Sequence, residues 1–387
     1  MSNQPPYPLH ESVLDRIDPE YAAFYNKHII DKQQVHLQPV EASRSSGILI
    51  PGSGPLQPVA STIDYAIKRK ESEGPDVKVR CFTPIGDKPE NGWPVCIYYH
   101  GGGWVLGTID TENVIASHLC ARGKCVVVAV DYRLAPENPF PAAVHDSWEA
   151  VLWVMDEGKE TLGLDTSKLA TGGSSAGANL AAIMCQRAAD RGSLKFSLQL
   201  LSVPVMDNTA DTTNNVSWKE NQHSPALPAP KMLWYRNHYL PNKADWSHPE
   251  ASPIFWKGDF SKLPPACFVV GELDVLRSEG EQFAKKLQDA GVKAELNVMK
   301  GQPHPFIAMD AVLEAGSRAI TLFCDALYKT IPPTMSDGQP HDTKKVKEKG
   351  VEDVEVGVSH PEKQTIYSKV SVYLMMILSR LALGSDG

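Results

Sequence analysis

The 387-residue sequence has no Cys-x-x-Cys pair, no excess of basic charge and no cluster of histidine and carboxylate with metal-ligand spacing. Each absence excludes something. The seven cysteines, Cys81, Cys96, Cys120, Cys125, Cys185, Cys267 and Cys324, are odd in number and scattered. Several sit in apolar runs, so they read as reduced core thiols of a cytoplasmic protein rather than a disulfide framework. With a net charge of -8, there is no basic stripe to displace counterions from a nucleic acid, and no such partner is expected. The missing ligand spacing predicts no metal. The first twenty residues are polar and acidic, without an apolar stretch after a basic start, so no secretory leader is expected.

Hydrophobic residues make up 42% and charged residues 22% of the chain, an ordinary balance for a protein with a sizeable core. Residues 63–68 and 77–82 alternate apolar and polar side chains around the turn Glu73-Gly74-Pro75, which predicts an antiparallel edge hairpin. Six short apolar runs follow, at 95–99, 125–130, 168–171, 197–201, 266–270 and 295–299. Buried parallel strands read this way. Helical patterns at 141–155, 176–189, 277–288 and 308–328 alternate with them. The expected fold is therefore α/β, with a mostly parallel eight-stranded sheet and helices on both faces.

Three segments depart from this rhythm. Residues 1–60 are rich in proline and serine, with one or two short helices expected between 10 and 30 and the rest irregular. Residues 207–256 carry Trp218, Trp234, Trp246 and Trp256, which favours a folded lid over a bare loop. Together these two segments are expected to form a helical cap on a main domain at 61–332. Residues 333–387 read as a charged linker followed by an apolar stretch at 370–383. That stretch is too short for a confident span and contains Arg380. An amphipathic helix docking on protein is its first reading, a weak membrane contact its second.

The strongest local signal is Gly172-Gly173-Ser174-Ser175-Ala176-Gly177. It lies between an expected strand and an alanine-rich helix. A nucleophilic serine must project from a sharp strand-to-helix turn, and flanking glycines remove the Cβ atoms that would clash there. The glycine spacing selects Ser175 over Ser174. Upstream, His100-Gly101-Gly102-Gly103-Trp104 follows the run 95–99. Consecutive glycines free backbone N–H groups to hold a developing oxyanion, assigned to Gly102, Gly103 and Ala176. No Lys-Ser/Thr follows, as a nucleotide-binding loop would need, and no cofactor is expected. His100 reads as a residue that orients its glycine loop. Asp274 and His304 each lie just past an apolar run, so both fall on the rim where open α/β sheets place their sites.

HGGGW, then Asp131-Tyr132-Arg133-Leu134-Ala135-Pro136-Glu137, then GGSSAGAN, in this order, resemble the hormone-sensitive-lipase-like esterases and lipases of the α/β-hydrolase superfamily. The similarity covers roughly residues 60–330. It implies an α/β-hydrolase fold and a triad in the order Ser…Asp…His. Gly271-Glu272-Leu273-Asp274-Val275-Leu276-Arg277 matches the family's acid stretch, and Gly301-Gln302-Pro303-His304-Pro305-Phe306 its histidine stretch. Asp131–Glu137 matches a motif that supports the glycine loop. The sequence departs from the family at Ser174, where an acid often stands, and at Val275 and Ser278. Glu272 is the competing acid; His223, His238 and His248 are the competing bases. The implied activity is hydrolysis of small to medium carboxylic esters. An amidase, a formamidase or an acyltransferase would use the same triad. A non-catalytic receptor on this fold, of the gibberellin-receptor kind, loses the triad histidine, which this sequence keeps.

Overall fold

The apolar runs do become a sheet, and those at its centre bury both faces; the last, 295–299, lies at the edge and stays partly exposed. The computed structural model describes residues 5–45, 51–192 and 194–334. A second unit, Pro340–Gly387, and with it the apolar stretch 370–383, lies outside the described residues. Eight strands are present: β1 (Ser61–Ile67), β2 (Val77–Thr83), β3 (Trp93–Tyr99), β4 (Val126–Asp131), β5 (Leu164–Ser174), β6 (Leu198–Ser202), β7 (Ala266–Gly271) and β8 (Ala294–Met299). Their order in the sheet is β1-β2-β4-β3-β5-β6-β7-β8. The pairs β1/β2 and β2/β4 are antiparallel and the rest parallel.

Every residue of β3 is buried, and the period of two sorts its side chains between two cores. Val95, Ile97 and Tyr99 join one; Cys96 and Tyr98 join the other. Helices Ala142–Met155, Ala176–Arg191 and Arg277–Asp289 contribute to the first core. Helices Asn113–Gly123 and Glu314–Thr330 contribute to the second and pack on each other. All seven cysteines are buried and unbridged.

The structure corrects the sequence reading in several places. Strand β5 runs from 164, not 168, and continues through Gly172 and Gly173, which pair with Tyr98 and Tyr99 of β3. Glycines that read as a turn here extend the strand, because neighbours pair with them on both sides. Asn113–Gly123 is a helix the pattern analysis passed over. Residues 308–328 are not one helix. A 3-10 turn, Phe306–Met309, precedes helix Glu314–Thr330. The break lies where the N-terminal segment docks: Asp310 accepts from the Gly54 amide at 2.9 Å, and the Ala311 amide donates to Gly52 at 3.2 Å.

The N-terminal segment is more ordered than expected. Helix Pro19–His28 is started by the Asp18 carboxylate, which accepts from the Glu20 and Tyr21 amides. It buries Tyr21 and Tyr25. The turn Val35–Leu37 and helix Val40–Ser45 follow where irregular chain was expected. Residues 207–256 fold as helices Val216–Glu220 and Ala229–Tyr239 with short 3-10 turns, and Trp218 is fully buried. Among the described residues no helix is long and apolar enough to cross a membrane.

Candidate active site

Strand β5 delivers Ser175 to the rim of the sheet. Its backbone is forced to φ 56° and ψ -117°, a conformation costing an L-residue about 1–3 kcal/mol. The flanking glycines make the turn feasible. A Cβ on Gly177 would lie 2.0 Å from the Tyr99 carbonyl oxygen, so the helix start is pressed directly against β3. The Ser175 amide is tied to the Ser202 carbonyl at 2.8 Å. Its side chain stands where helix Ala176–Arg191 begins, with that helix's positive end behind it.

Strands β7 and β8 deliver the other two residues. His304 Nδ1–H donates to Asp274 Oδ2 at 2.8 Å, and Asp274 Oδ1 accepts from the Leu276 amide at 3.0 Å. Asp274 is 1% exposed and His304 6%. The loop holding Asp274 is fastened from residues 207–256. Asn221 Nδ2 donates to the carbonyls of Glu272 and Asp274, Ser224 Oγ to that of Leu273, and Ser217 Oγ to that of Val275. None of these contacts, which span about fifty residues of sequence, left a local signal.

The glycine loop faces Ser175. Gly102 and Gly103 adopt φ of 119° and 61°, and the Gly102 carbonyl accepts from the Val105 and Leu106 amides. A Cβ on Gly103 would sit 2.3 Å from the Tyr235 ring, so only glycine allows helix Ala229–Tyr239 to lie on the loop. Trp104 stacks on Tyr239 at 4.2 Å in the same contact. His100 braces the loop as expected. Its Nδ1–H donates to the Gly101 carbonyl at 2.7 Å, its ring stacks on Tyr132, and the Tyr132 hydroxyl donates to the His100 carbonyl. From residues 1–60, Arg44 donates to the carbonyls of Val105 and Ala135 and pairs with Glu137.

Burial holds the His100 imidazole neutral, pulling its pKa from 6.5 to about 4. The unfolded chain therefore binds a proton that the folded chain rejects. Stability from this group is complete above about pH 6.5 and is lost as pH falls toward about 4, by on the order of 3 kcal/mol. Denaturation midpoints measured at about pH 7.5 and about pH 4.5 should differ less in a His100→Gln variant than in the native protein. Equal differences in the two proteins would refute this account.

Sequence reasoning also missed Glu112. It is buried under the glycine loop, where its carboxylate accepts from the Tyr98 hydroxyl at 2.8 Å and the Gly101 amide at 3.1 Å. The Tyr98 hydroxyl also meets Ser174 Oγ at 3.0 Å. Burial raises the Glu112 pKa, against hydrogen bonds that lower it. Thus the serine beside Ser175 is engaged by a neighbouring acid from a distant helix start, rather than being an acid itself.

A cavity of about 70 Å3 is lined by Gly101, Gly102, Gly103, Ser175 and His304, with Val35, Leu227, Lys231, Met232 and Tyr235 among the residues roofing it. Asp274 stands behind His304, and Ala176 is buried as the first residue of its helix. A second cavity of about 650 Å3 shares Val35, Ala226, Lys231, His304 and Pro305 with the first and extends along the N-terminal segment. The competing residues are elsewhere. Glu272 accepts from the Gly301 amide. His223 stacks on His10, His238 lies against Trp234, and His248 against Phe140. None of these four lines either cavity.

A strained serine turn at the end of a central parallel strand, with a paired histidine and carboxylate after the last two strands, defines an α/β-hydrolase. A family model described as alpha/beta hydrolase fold matches residues 96–308, and the chain belongs to that family. An AB hydrolase superfamily protein of Schizosaccharomyces pombe is 49% identical over 316 residues, 80% of this chain and 92% of its own. An arylesterase of Saccharolobus solfataricus is 35% identical over 320 residues, covering 81% and 99%. The solved structure of a hyperthermophilic esterase from the archaeon Pyrobaculum calidifontis matches with a TM-score of 0.73 at 33% identity, covering 81% and 98%. The chain is an enzyme, a carboxylesterase-like hydrolase of the hormone-sensitive-lipase-like group.

Proposed function

We propose that the protein hydrolyses small to medium carboxylic esters through an acyl-enzyme on Ser175. The observation that carries this reading is one cavity lined by Ser175, by the His304 ring paired to Asp274, and by the Gly102–Gly103 backbone. In this mechanism His304 Nε2 removes the Ser175 Oγ proton as Oγ attacks the ester carbonyl carbon. The carbonyl oxygen becomes an oxyanion and accepts hydrogen bonds from the amides of Gly102, Gly103 and Ala176. As the C–O bond to the alcohol breaks, His304 passes its proton to the leaving oxygen. Water then enters and attacks the acyl carbon as His304 takes its proton; His304 returns that proton to Ser175 Oγ as the acyl–serine bond breaks, releasing the acid and the free enzyme. Asp274 keeps the His304 proton on Nδ1 and stabilises the imidazolium.

Residues 1–60 and 207–256 form the cap in this proposal, with residues 61–332 as the catalytic domain. Val35 from the first, and Leu227, Lys231 and Tyr235 from the second, support it by lining the cavity at Ser175. The esterase names of the relatives support the reaction class, and the narrow space beside Ser175 supports a short acyl group.

Two measurements test the reading. A fluorophosphonate probe should label Ser175, identified by peptide mass; absence of labelling would favour a non-catalytic receptor. Across p-nitrophenyl esters, kcat/KM should peak at short to medium acyl chains. Dominant activity on long-chain emulsified lipid would overturn the size assignment.

A further inference from the structure

Ester hydrolysis does not by itself require charge in the substrate pocket, yet this pocket has a sign. The chain as a whole is acidic, with 46 Asp and Glu against 38 Lys and Arg. Among the described residues no Asp or Glu lines the cavity at Ser175 or the larger one that adjoins it. Lys231 lines both, and so stands where they meet; Lys32 and His28 line the larger one. The two lysines therefore gather on the one side of the site that extends away from the glycine loop.

Lys231 has little reason to be there for stability. It projects from helix Ala229–Tyr239 among Val35, Ala226, Met232 and Pro305. Its ammonium donates to the Ala226 carbonyl at 2.8 Å and forms no ion pair among the described residues. An ammonium carries three donors, and holding it in apolar surroundings without a counter-ion costs free energy. That desolvation draws its pKa down to about 8. Close by, the buried Nδ1 of His36 has no hydrogen-bond partner among the described residues, and the Lys231 charge acts on that ring after burial itself. An ammonium held only by a backbone carbonyl thus stands where the two cavities meet, with an unpartnered ring nitrogen near it.

We propose that Lys231 is a specificity residue that selects esters bearing a carboxylate: half-esters of short dicarboxylic acids, whose free acid end lies at the junction while the ester carbonyl faces Ser175. This inference rests on the ester-hydrolase reading above. The substrate carboxylate supplies the counter-ion that the protein lacks, and a charge-assisted hydrogen bond forms in a poorly hydrated place.

The test compares monomethyl glutarate with its neutral dimethyl ester, as the ratio of their kcat/KM values. The native enzyme should favour the half-ester. A Lys231→Met variant should lose roughly tenfold or more of that ratio, mainly through KM of the half-ester, and Lys231→Arg should restore most of it. Free glutarate should compete with hydrolysis of a neutral p-nitrophenyl ester, and glutaramide should not. This inhibition is read on the native enzyme, so it decides the matter even if the variants fold poorly. A ratio unchanged in Lys231→Met, or equal inhibition by glutarate and glutaramide, overturns the assignment. Hydrolysis of neutral esters without half-ester preference sinks this inference alone; no hydrolysis of any ester sinks the reading beneath it.

Discussion

Replacing Ser175 by Ala should lower kcat for p-nitrophenyl butyrate by about 10,000-fold or more, with the fold intact. The substitution removes one hydroxyl. Its backbone amide keeps the hydrogen bond to the Ser202 carbonyl, and alanine adopts the same positive φ at a cost close to that of serine. The thermal midpoint should therefore change little. Without Oγ no acyl-enzyme forms, so any residual rate comes from water attacking a carbonyl polarised by the glycine amides. The same variant should not react with a fluorophosphonate. Turnover near the native rate would mean that another group is the nucleophile. Ser174 is its only hydroxyl neighbour in sequence, and that hydroxyl is engaged by Tyr98.

Asp274→Asn should have nearly as large an effect, for a different reason. Asp274 uses its two oxygens separately: Oδ1 accepts from the Leu276 amide and Oδ2 from His304 Nδ1–H. An amide can keep the first bond with its oxygen. Its NH2 then faces Nδ1, which can accept only if the imidazole proton moves to Nε2. That is the atom needed to receive the serine proton, so the histidine is present in the wrong tautomer. A loss of about 10,000-fold in kcat at neutral pH is expected, with a near-native denaturation midpoint. Stopped-flow kinetics with an activated ester would separate the steps: acylation should slow while substrate binding persists. A loss of tenfold or less would show that Asp274 does little to hold the tautomer.

The legible parts of this fold are those in which burial itself writes the pattern. The run 95–99 became β3 because a central parallel strand is apolar on both faces, and such a run has few other uses. Residues 176–189 read as a helix because small apolar residues let it press on the sheet. The overlooked helix Asn113–Gly123 places Ile115, Ala116, Leu119 and Cys120 on its buried side. That spacing is helical, but it spans only about three turns and follows a glycine loop without a capping side chain. The division of 308–328 had no local cause to find. At the break the Asp310 carboxylate accepts from the amide of Gly54, more than two hundred residues earlier, a contact that no local pattern records.

The sequence alone determined where the turn at Ser175, the proposed nucleophile, the glycine loop, Asp274 and His304 fall along the chain. Each follows directly from a strand that precedes it, so a local pattern suffices to locate it. Only the tertiary structure decided what surrounds them. Tyr235 against Gly103, Asn221 beneath Asp274, Arg44 across the glycine loop and Lys231 above Ser175 come from segments without a strand to index them. Their positions are set by which surfaces pack together. Packing is a property of the whole chain, and no single stretch of sequence records it.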